Sequence, residues 1–149
     1  MDGVQDGTNG VRTGLHVCRG NWSRREDVLL SGDYARLLPA FRAMRVRQFV
    51  LEYATPRAGD IAVVGGALAD RELGLGVVNP RTAEVETPAE IVARAEAALR
   101  WFRPAQLALN PDCGFGCFAN RCVNDHDTAA AKLRAMVAAA RVLRERHGA

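Results

Sequence analysis

A chain of 149 residues, 48% hydrophobic and 25% charged, has the composition of one ordinary globular domain and is unlike a disordered or collagen-like chain. Its net charge of +3 does not amount to a phosphate-binding face: of the 20 basic residues only Lys132 is a lysine, the arginines accompany an Ala- and Gly-rich composition of the kind GC-rich coding produces, and the 17 acidic residues are interspersed among them, so nucleic acid is not an expected partner. No apolar run approaches the roughly 18 residues of a membrane span, and Met1–Gly10 has neither the basic nor the apolar region of a secretory signal, which makes the cytoplasm the expected compartment and excludes a membrane partner.

Residues 1–12 are expected to be a flexible lead-in and residues 13–149 the folded unit. Four short apolar runs read as strands: Gly14–Cys18, Gln48–Tyr53, Glu72–Val78 and Gln106–Asn110, with cores LHVC, FVLEY, LGLGVV and LALN. Near-continuous apolar runs of this length are typical of strands covered on both faces of a parallel sheet. Between the first two, Asp33–Met44 has Leu37, Leu38 and Phe41 at helical spacing, with Pro39 expected to kink or divide the helix. The next connection, Arg57–Asp70, is too Gly-rich to assign. Thr87-Pro88-Ala89-Glu90 is a capping box with proline in the first turn, followed by Ile91, Ala95, Ala98 and Leu99 on one face. A last helix is expected over Thr128–Arg146, with Leu133, Val137 and Ala140 as its buried stripe and Gly148 closing it.

Four strand–helix alternations define an α/β fold built on a parallel sheet, and both a doubly wound sheet and part of a (β/α)₈ barrel satisfy the pattern. His16 and Cys18 close the first strand, Glu52 the second, and Asp112 and Cys113 follow the fourth. The carboxyl ends of parallel strands are the active-site side of such folds.

The four cysteines, Cys18, Cys113, Cys117 and Cys122, are read as thiols rather than disulfides in a reducing compartment. His16-x-Cys18 is a strand spacing that sends both side chains to one side. With Glu52 and Cys113 from neighbouring strand ends, they make a chemically sound zinc set of one imidazole, one carboxylate and two thiolates. Plainer readings stand beside it: His16 as a core histidine, Glu52 as a buried structural carboxylate, Cys113 as a packed thiol.

The runs LHVCRGN (Leu15–Asn21), LEYATPRAGD (Leu51–Asp60), LGLGVV (Leu73–Val78), CGFG (Cys113–Gly116) and AKLR (Ala131–Arg134) occur in a fixed order. This ordered set, spanning Thr13 to Arg144, resembles the C-terminal catalytic region of the cobalamin-independent methionine synthase family and its shorter single-barrel members. The resemblance implies four βα units forming the C-terminal half of a (β/α)₈ TIM-type barrel. It implies zinc held by His16, Cys18, Glu52 and Cys113. It also implies methyl transfer to a thiol, with homocysteine as acceptor and a 5-methyltetrahydrofolate-type donor.

A free thiol has a pKa of about 8.5, and zinc binding deprotonates it. Three anionic ligands leave the zinc site with a formal charge of about −1, which keeps a bound thiolate nucleophilic. Glu52 is the ligand expected to yield its place to the substrate sulfur, and so the catalytic residue. The family's HSPR-type motif supplies a general-acid histidine after the third strand, but here Val78-Asn79-Pro80-Arg81 puts Val78 in that place. Valine has no proton to give, and an arginine such as Arg81 releases none near neutral pH.

Four strands are half of the eight a barrel needs. Another copy or a separate N-terminal half is therefore an expected partner, and an inert zinc-binding remnant is the rival reading. Arg19, Asn21 and Asp112 flank the ligands as candidate substrate contacts, with a rim salt bridge for Arg19 and a turn or ligand-orienting role for Asp112 as the plainer readings. Cys113-x₃-Cys117-x₄-Cys122-x₃-His126 matches no common metal spacing, so Cys117 and Cys122 read as spare loop thiols, although a small structural-metal module on these four residues is a further alternative. His126 reads as a near-cap surface residue and His147 as a partner of a helix C-terminus. Gly74 and Gly76 mark close backbone approach in a strand, and Trp22 and Trp101 read as packing residues.

Overall fold

In the computed structural model, residues 10–148 are described apart from Trp22, Cys117, Ala119, Arg121 and the side chain of Glu26. Most of the expected flexible lead-in, and the roles assigned to Trp22 and Cys117, lie outside the described residues. Four parallel strands, β1 (Gly14–Val17), β2 (Gln48–Leu51), β3 (Glu72–Val78) and β4 (Leu107–Pro111), form one sheet in the order β1-β2-β3-β4. Helices α1 (Leu38–Ala43), α2 (Ala62–Leu68), α3 (Pro88–Leu99) and α4 (His126–His147) alternate with them. This is the α/β alternation read from the sequence.

The strand pleat sorts side chains onto two faces. Phe49 and Leu51 of β2, with Leu73, Leu75 and Val77 of β3, are buried with Phe41, Val64, Leu68, Ile91 and Ala95 of the helices. Phe41 lies 4.8 Å from Phe49 between ring centroids, fixing α1 against β2. The alternate residues His16, Val50, Gly74 and Ala108 form one cross-strand row on the opposite face. His16 at one edge of that row and Ala108 at the other are exposed.

Pro39 does not kink a long helix; it divides the segment into a 3₁₀ turn at Ala35–Leu37 and α1, where it sits in the first turn. Leu37 consequently falls outside the α-helical face and is exposed. The Gly-rich connection holds a 3₁₀ turn, Pro56–Ala58, and α2, whose Gly65 lets Trp101 pack against its backbone: a Cβ there would lie 2.3 Å from Trp101 Cγ. Both halves of the Thr87–Glu90 capping box form. The fourth strand starts one residue later than expected because Pro104–Gln106 makes a 3₁₀ turn.

The expected buried stripe of α4 is corrected. Leu133 and Val137 are exposed, while Lys132, Ala139 and Leu143 are buried. Lys132 is fully buried, and its Nζ bonds Glu86 Oε2 at 3.0 Å and the Glu84 carbonyl. This ion pair sets the rotation of the helix, and Leu133 is about 100° further round.

Candidate metal centre

One donor atom each from His16, Cys18, Glu52 and Cys113 lies within 4.8 Å of the others. Among the described residues this is the group of three or more such donors close enough to share an ion; Cys122 and His126 do not join it. Three interstrand spacings of about 4.8 Å separate β1 from β4 in a flat sheet, yet Cys18 Sγ and Cys113 Sγ are 3.8 Å apart. The carboxyl end of the sheet is therefore strongly curled. Two sulfurs at about 2.3 Å from a tetrahedral zinc sit about 3.8 Å apart, so this thiol pair fits that ion.

The ligands are held from behind. His16 Nδ1 is 3.1 Å from the Val50 carbonyl oxygen, a contact that makes Nδ1 the donor and leaves Nε2 for a metal. Glu52 is 3% exposed. Its Oε1 accepts from the Arg19 backbone N–H at 3.1 Å and its Oε2 from Asn21 Nδ2 at 2.6 Å. Burial pushes the Glu52 carboxyl above its ordinary range, opposed by the Arg19 N–H and by the neighbouring His16, Cys18 and Arg19. The Tyr34 hydroxyl accepts from the Glu52 N–H at 3.0 Å and lies 3.3 Å from its carbonyl, clamping the main chain at that point. Burial pushes the Tyr34 hydroxyl up to about 12, so it stays a neutral donor and acceptor.

Asp112 is 2% exposed, and its Oδ1 accepts from the N–H groups of Tyr53 and Ala54, each at 2.9 Å. From the end of β4 it reaches across β3 to the segment after β2, and it crosses at Gly76, where a Cβ would lie 2.1 Å from Oδ1. Asp112 thus ties together the strand ends that carry Glu52 and Cys113. Burial, with the nearby Glu52 charge, pushes its carboxyl up to about 7 against the two N–H bonds. Because the folded value lies above the 3.8 of an ordinary aspartate, its contribution to stability is complete below that pH and is lost as pH rises through about 7. Asn keeps an oxygen for both N–H groups without acquiring charge. Urea titrations of the metal-free chain are expected to show wild type losing about 2 kcal/mol more than Asp112→Asn between about pH 4 and about pH 8. Parallel stability curves for the two proteins would remove this account of Asp112.

Arg19 and Asn21 are each 7% exposed, so neither is a rim residue. The Arg19 guanidinium lies 5.0 Å from the Tyr34 ring centroid, and its Nη2 donates to the carbonyls of Gly32 and Arg57. Both residues border a cavity of about 150 Å³ that has Glu52 and Asp112 in its wall. Val78 is buried, and its carbonyl accepts from the Asp112 N–H at 2.9 Å. Cys122 is exposed, with Phe118 O 3.8 Å from its sulfur. His126 is the exposed first residue of α4, and His147 Nε2 is 3.1 Å from both carboxylate oxygens of Glu96. Tyr34 carried no signal in the sequence beyond its aromatic character.

A parallel α/β sheet gathers an imidazole, a carboxylate and two thiols at its carboxyl ends, a donor set that could hold a metal ion. The chain belongs, more particularly, to the cobalamin-independent synthase catalytic-domain family, whose model matches residues 11–142. It is 35% identical over 135 residues to a methionine synthase of Pyrococcus abyssi, covering 91% of this chain and 34% of that protein. A methionine synthase of Saccharolobus solfataricus is 29% identical over 149 residues, covering 97% of this chain and 39% of that protein. The fold matches a B12-independent methionine synthase from Shewanella, solved in complex with selenomethionine, with a TM-score of 0.77, 18% identity, and coverage of 93% of this chain and 41% of that one. The four βα units expected from the sequence are thus those of that enzyme's barrel, and the chain spans about a third of the length of the curated relatives it matches.

Proposed function

We propose that this chain is the zinc-holding part of a methyltransferase that moves a methyl group to a thiol, homocysteine giving methionine, with a 5-methyltetrahydrofolate-type donor. The observation that carries this reading is the convergence of His16, Cys18, Glu52 and Cys113 within 4.8 Å at the strand ends, in a chain of this family. Bound there, zinc would supply a thiol acceptor as its thiolate near neutral pH.

The chain's own residues do the rest. His16 and the two cysteines are fixed by the curl of the sheet. Glu52 has partners of its own in the Arg19 N–H and Asn21, which would keep its carboxylate hydrogen-bonded if it gave up its place on a bound zinc. Val78 offers no proton, so the position that holds the general-acid histidine in the family's motif is without one here. Free thiols suit a reducing compartment, and the protein is read on that ground as cytoplasmic.

A companion half of the barrel, or another copy of this chain, is the expected partner. Among the described residues, β1 and β4 are the edge strands of the sheet, with unpaired outer sides. Beside β4, Leu107, Leu109, Met136, Val137 and Leu143 line an apolar groove of about 400 Å³ that a further βα unit would cover. Residues 13–149 are read as one partial barrel on this basis.

The test is to load the chain with zinc, supply homocysteine and 5-methyltetrahydrofolate, and measure methionine by mass spectrometry. The assay is run with the chain alone and with an equimolar amount of the remaining two thirds of the Pyrococcus abyssi relative. Methionine from the mixture, at least about a hundredfold above the chain alone, is expected, since positioning of the reactants dominates such rates. No methionine in either arm, with one zinc bound, would leave the inert zinc-binding subunit as the function.

A further inference from the structure

The cavity of about 150 Å³ beside Glu52 carries an excess of fixed positive charge that the metal site does not use. Its lining includes four arginines, Arg19, Arg24, Arg57 and Arg81, and two acidic residues, Glu52 and Asp112. Guanidinium groups keep their charge at every physiological pH. Of the two carboxylates, Glu52 belongs to the metal set and Asp112 is turned to the Tyr53 and Ala54 N–H groups.

The guanidinium hydrogen bonds of Arg19 and Arg24 end on main-chain carbonyls: Arg19 on Gly32 and Arg57, Arg24 on Val123 at 2.8 Å from its Nε. Carbonyls hold a guanidinium in place without cancelling its charge. Arg19 is 7% exposed, and its Nη1 is buried with no acceptor among the described residues. A buried donor left unsatisfied is costly, and a charged one more so. A guanidinium offers paired N–H groups matched to the two oxygens of an oxyanion.

We propose that this cavity is an oxyanion subsite, holding the carboxylate, sulfonate or phosphonate group of the thiol substrate against Arg19 while its sulfur lies at the metal centre. This deepens the proposed function and rests on the reading that a thiol binds beside Glu52. Arg24, Arg57 and Arg81 also line the cavity, Arg81 with its Nε bonded to the Ser23 carbonyl at 2.6 Å.

Calorimetric titration of the zinc-loaded chain at low ionic strength tests this with 3-mercaptopropionate, 2-mercaptoethanesulfonate and neutral 2-mercaptoethanol, and with propionate as an oxyanion lacking the thiol. Both anionic thiols are expected to bind at least about tenfold tighter than 2-mercaptoethanol. Arg19→Met is expected to bring the three thiols to within about twofold of one another at unchanged zinc content. Arg57→Gln, at a half-buried position in the 3₁₀ turn Pro56–Ala58, should reduce the preference severalfold and does not depend on Arg19→Met folding. A propionate isotherm on zinc-free wild type, absent in Arg19→Met, would support the subsite even without the metal. Equal affinities for the charged and neutral thiols with zinc bound would overturn the oxyanion subsite and leave the metal centre standing. Failure of wild type to take up zinc would overturn the metal centre instead, and the propionate arm alone would then decide the subsite.

Discussion

Replacing Cys18 by Ser is expected to empty the metal centre, with zinc falling from one per chain in the gel-filtered wild type to none. The serine hydroxyl is not a thiolate at neutral pH and cannot bring a negative charge to zinc. The three remaining donors leave the ion a neutral imidazole, one carboxylate and one thiolate, the last from a strand no longer matched by a sulfur on the opposite edge. A loss of at least about a hundredfold in affinity is expected, beyond what disturbing a hydrogen bond behind a ligand costs. Elemental analysis of both proteins after gel filtration measures it. Zinc retained at one per chain in Cys18→Ser would move the metal to the segment from Cys113 to His126. Zinc absent from both proteins would remove the metal centre from this chain altogether.

The largest loss of stability from a single methyl group is expected at Gly76. A Cβ there would lie 2.1 Å from Asp112 Oδ1, 2.9 Å from the Leu51 carbonyl oxygen and 3.1 Å from Glu52 Cα. Two of these are backbone atoms of the neighbouring strand and its extension, and the third belongs to a carboxyl tied to two N–H groups. None of them can step aside without opening the β2–β3 pairing or dismantling the Asp112 bridge. Gly76→Ala is therefore expected to destabilise by about 3 kcal/mol or more, at the upper end of overpacking costs, and to lower zinc affinity as well. Gly66→Ala is the control: its Cβ would meet nothing nearer than Trp101 Cζ3 at 3.9 Å, and alanine in a helix gains up to about 1 kcal/mol over glycine. Urea unfolding midpoints of the three proteins decide the matter. A Gly76→Ala midpoint equal to wild type would show that Asp112 does not cross the sheet there.

The elements most legible in the sequence were those whose signals are local. The apolar runs of the four strands and the Thr87–Glu90 capping box depend on residues a few positions apart, and they appear in the structure within a residue or two. So does Gly148, in the left-handed conformation at the end of α4. The donor set was legible because His-x-Cys at a strand end fixes two side chains at once and the family motif order supplied the other two.

What stayed hidden depends on partners far away in the chain. The phase of α4 is set by Lys132 meeting Glu86, 46 residues apart, and counting apolar residues cannot see a buried ion pair. Tyr34 clamps Glu52 from 18 residues away. Arg19 reads as a surface charge until Tyr34 and the carbonyls of Gly32 and Arg57 close around it. The glycines of β3 were legible as points of close approach, but the group that approaches, Asp112, was not.

The two thiols of the centre stand at opposite margins of the sheet, one after its first strand and one after its last, 95 residues apart in the chain. An ion between them is a clasp. Closing a loop of that length is the kind of constraint that a cross-link supplies at about 4–5 kcal/mol on the chain-entropy estimate, so zinc bound there would add to the hold on the curl. The curl in turn sets the angle at which both margins face outward. Any second half that completes the ring must meet that angle, and by linkage its affinity for this chain and the chain's affinity for zinc rise together.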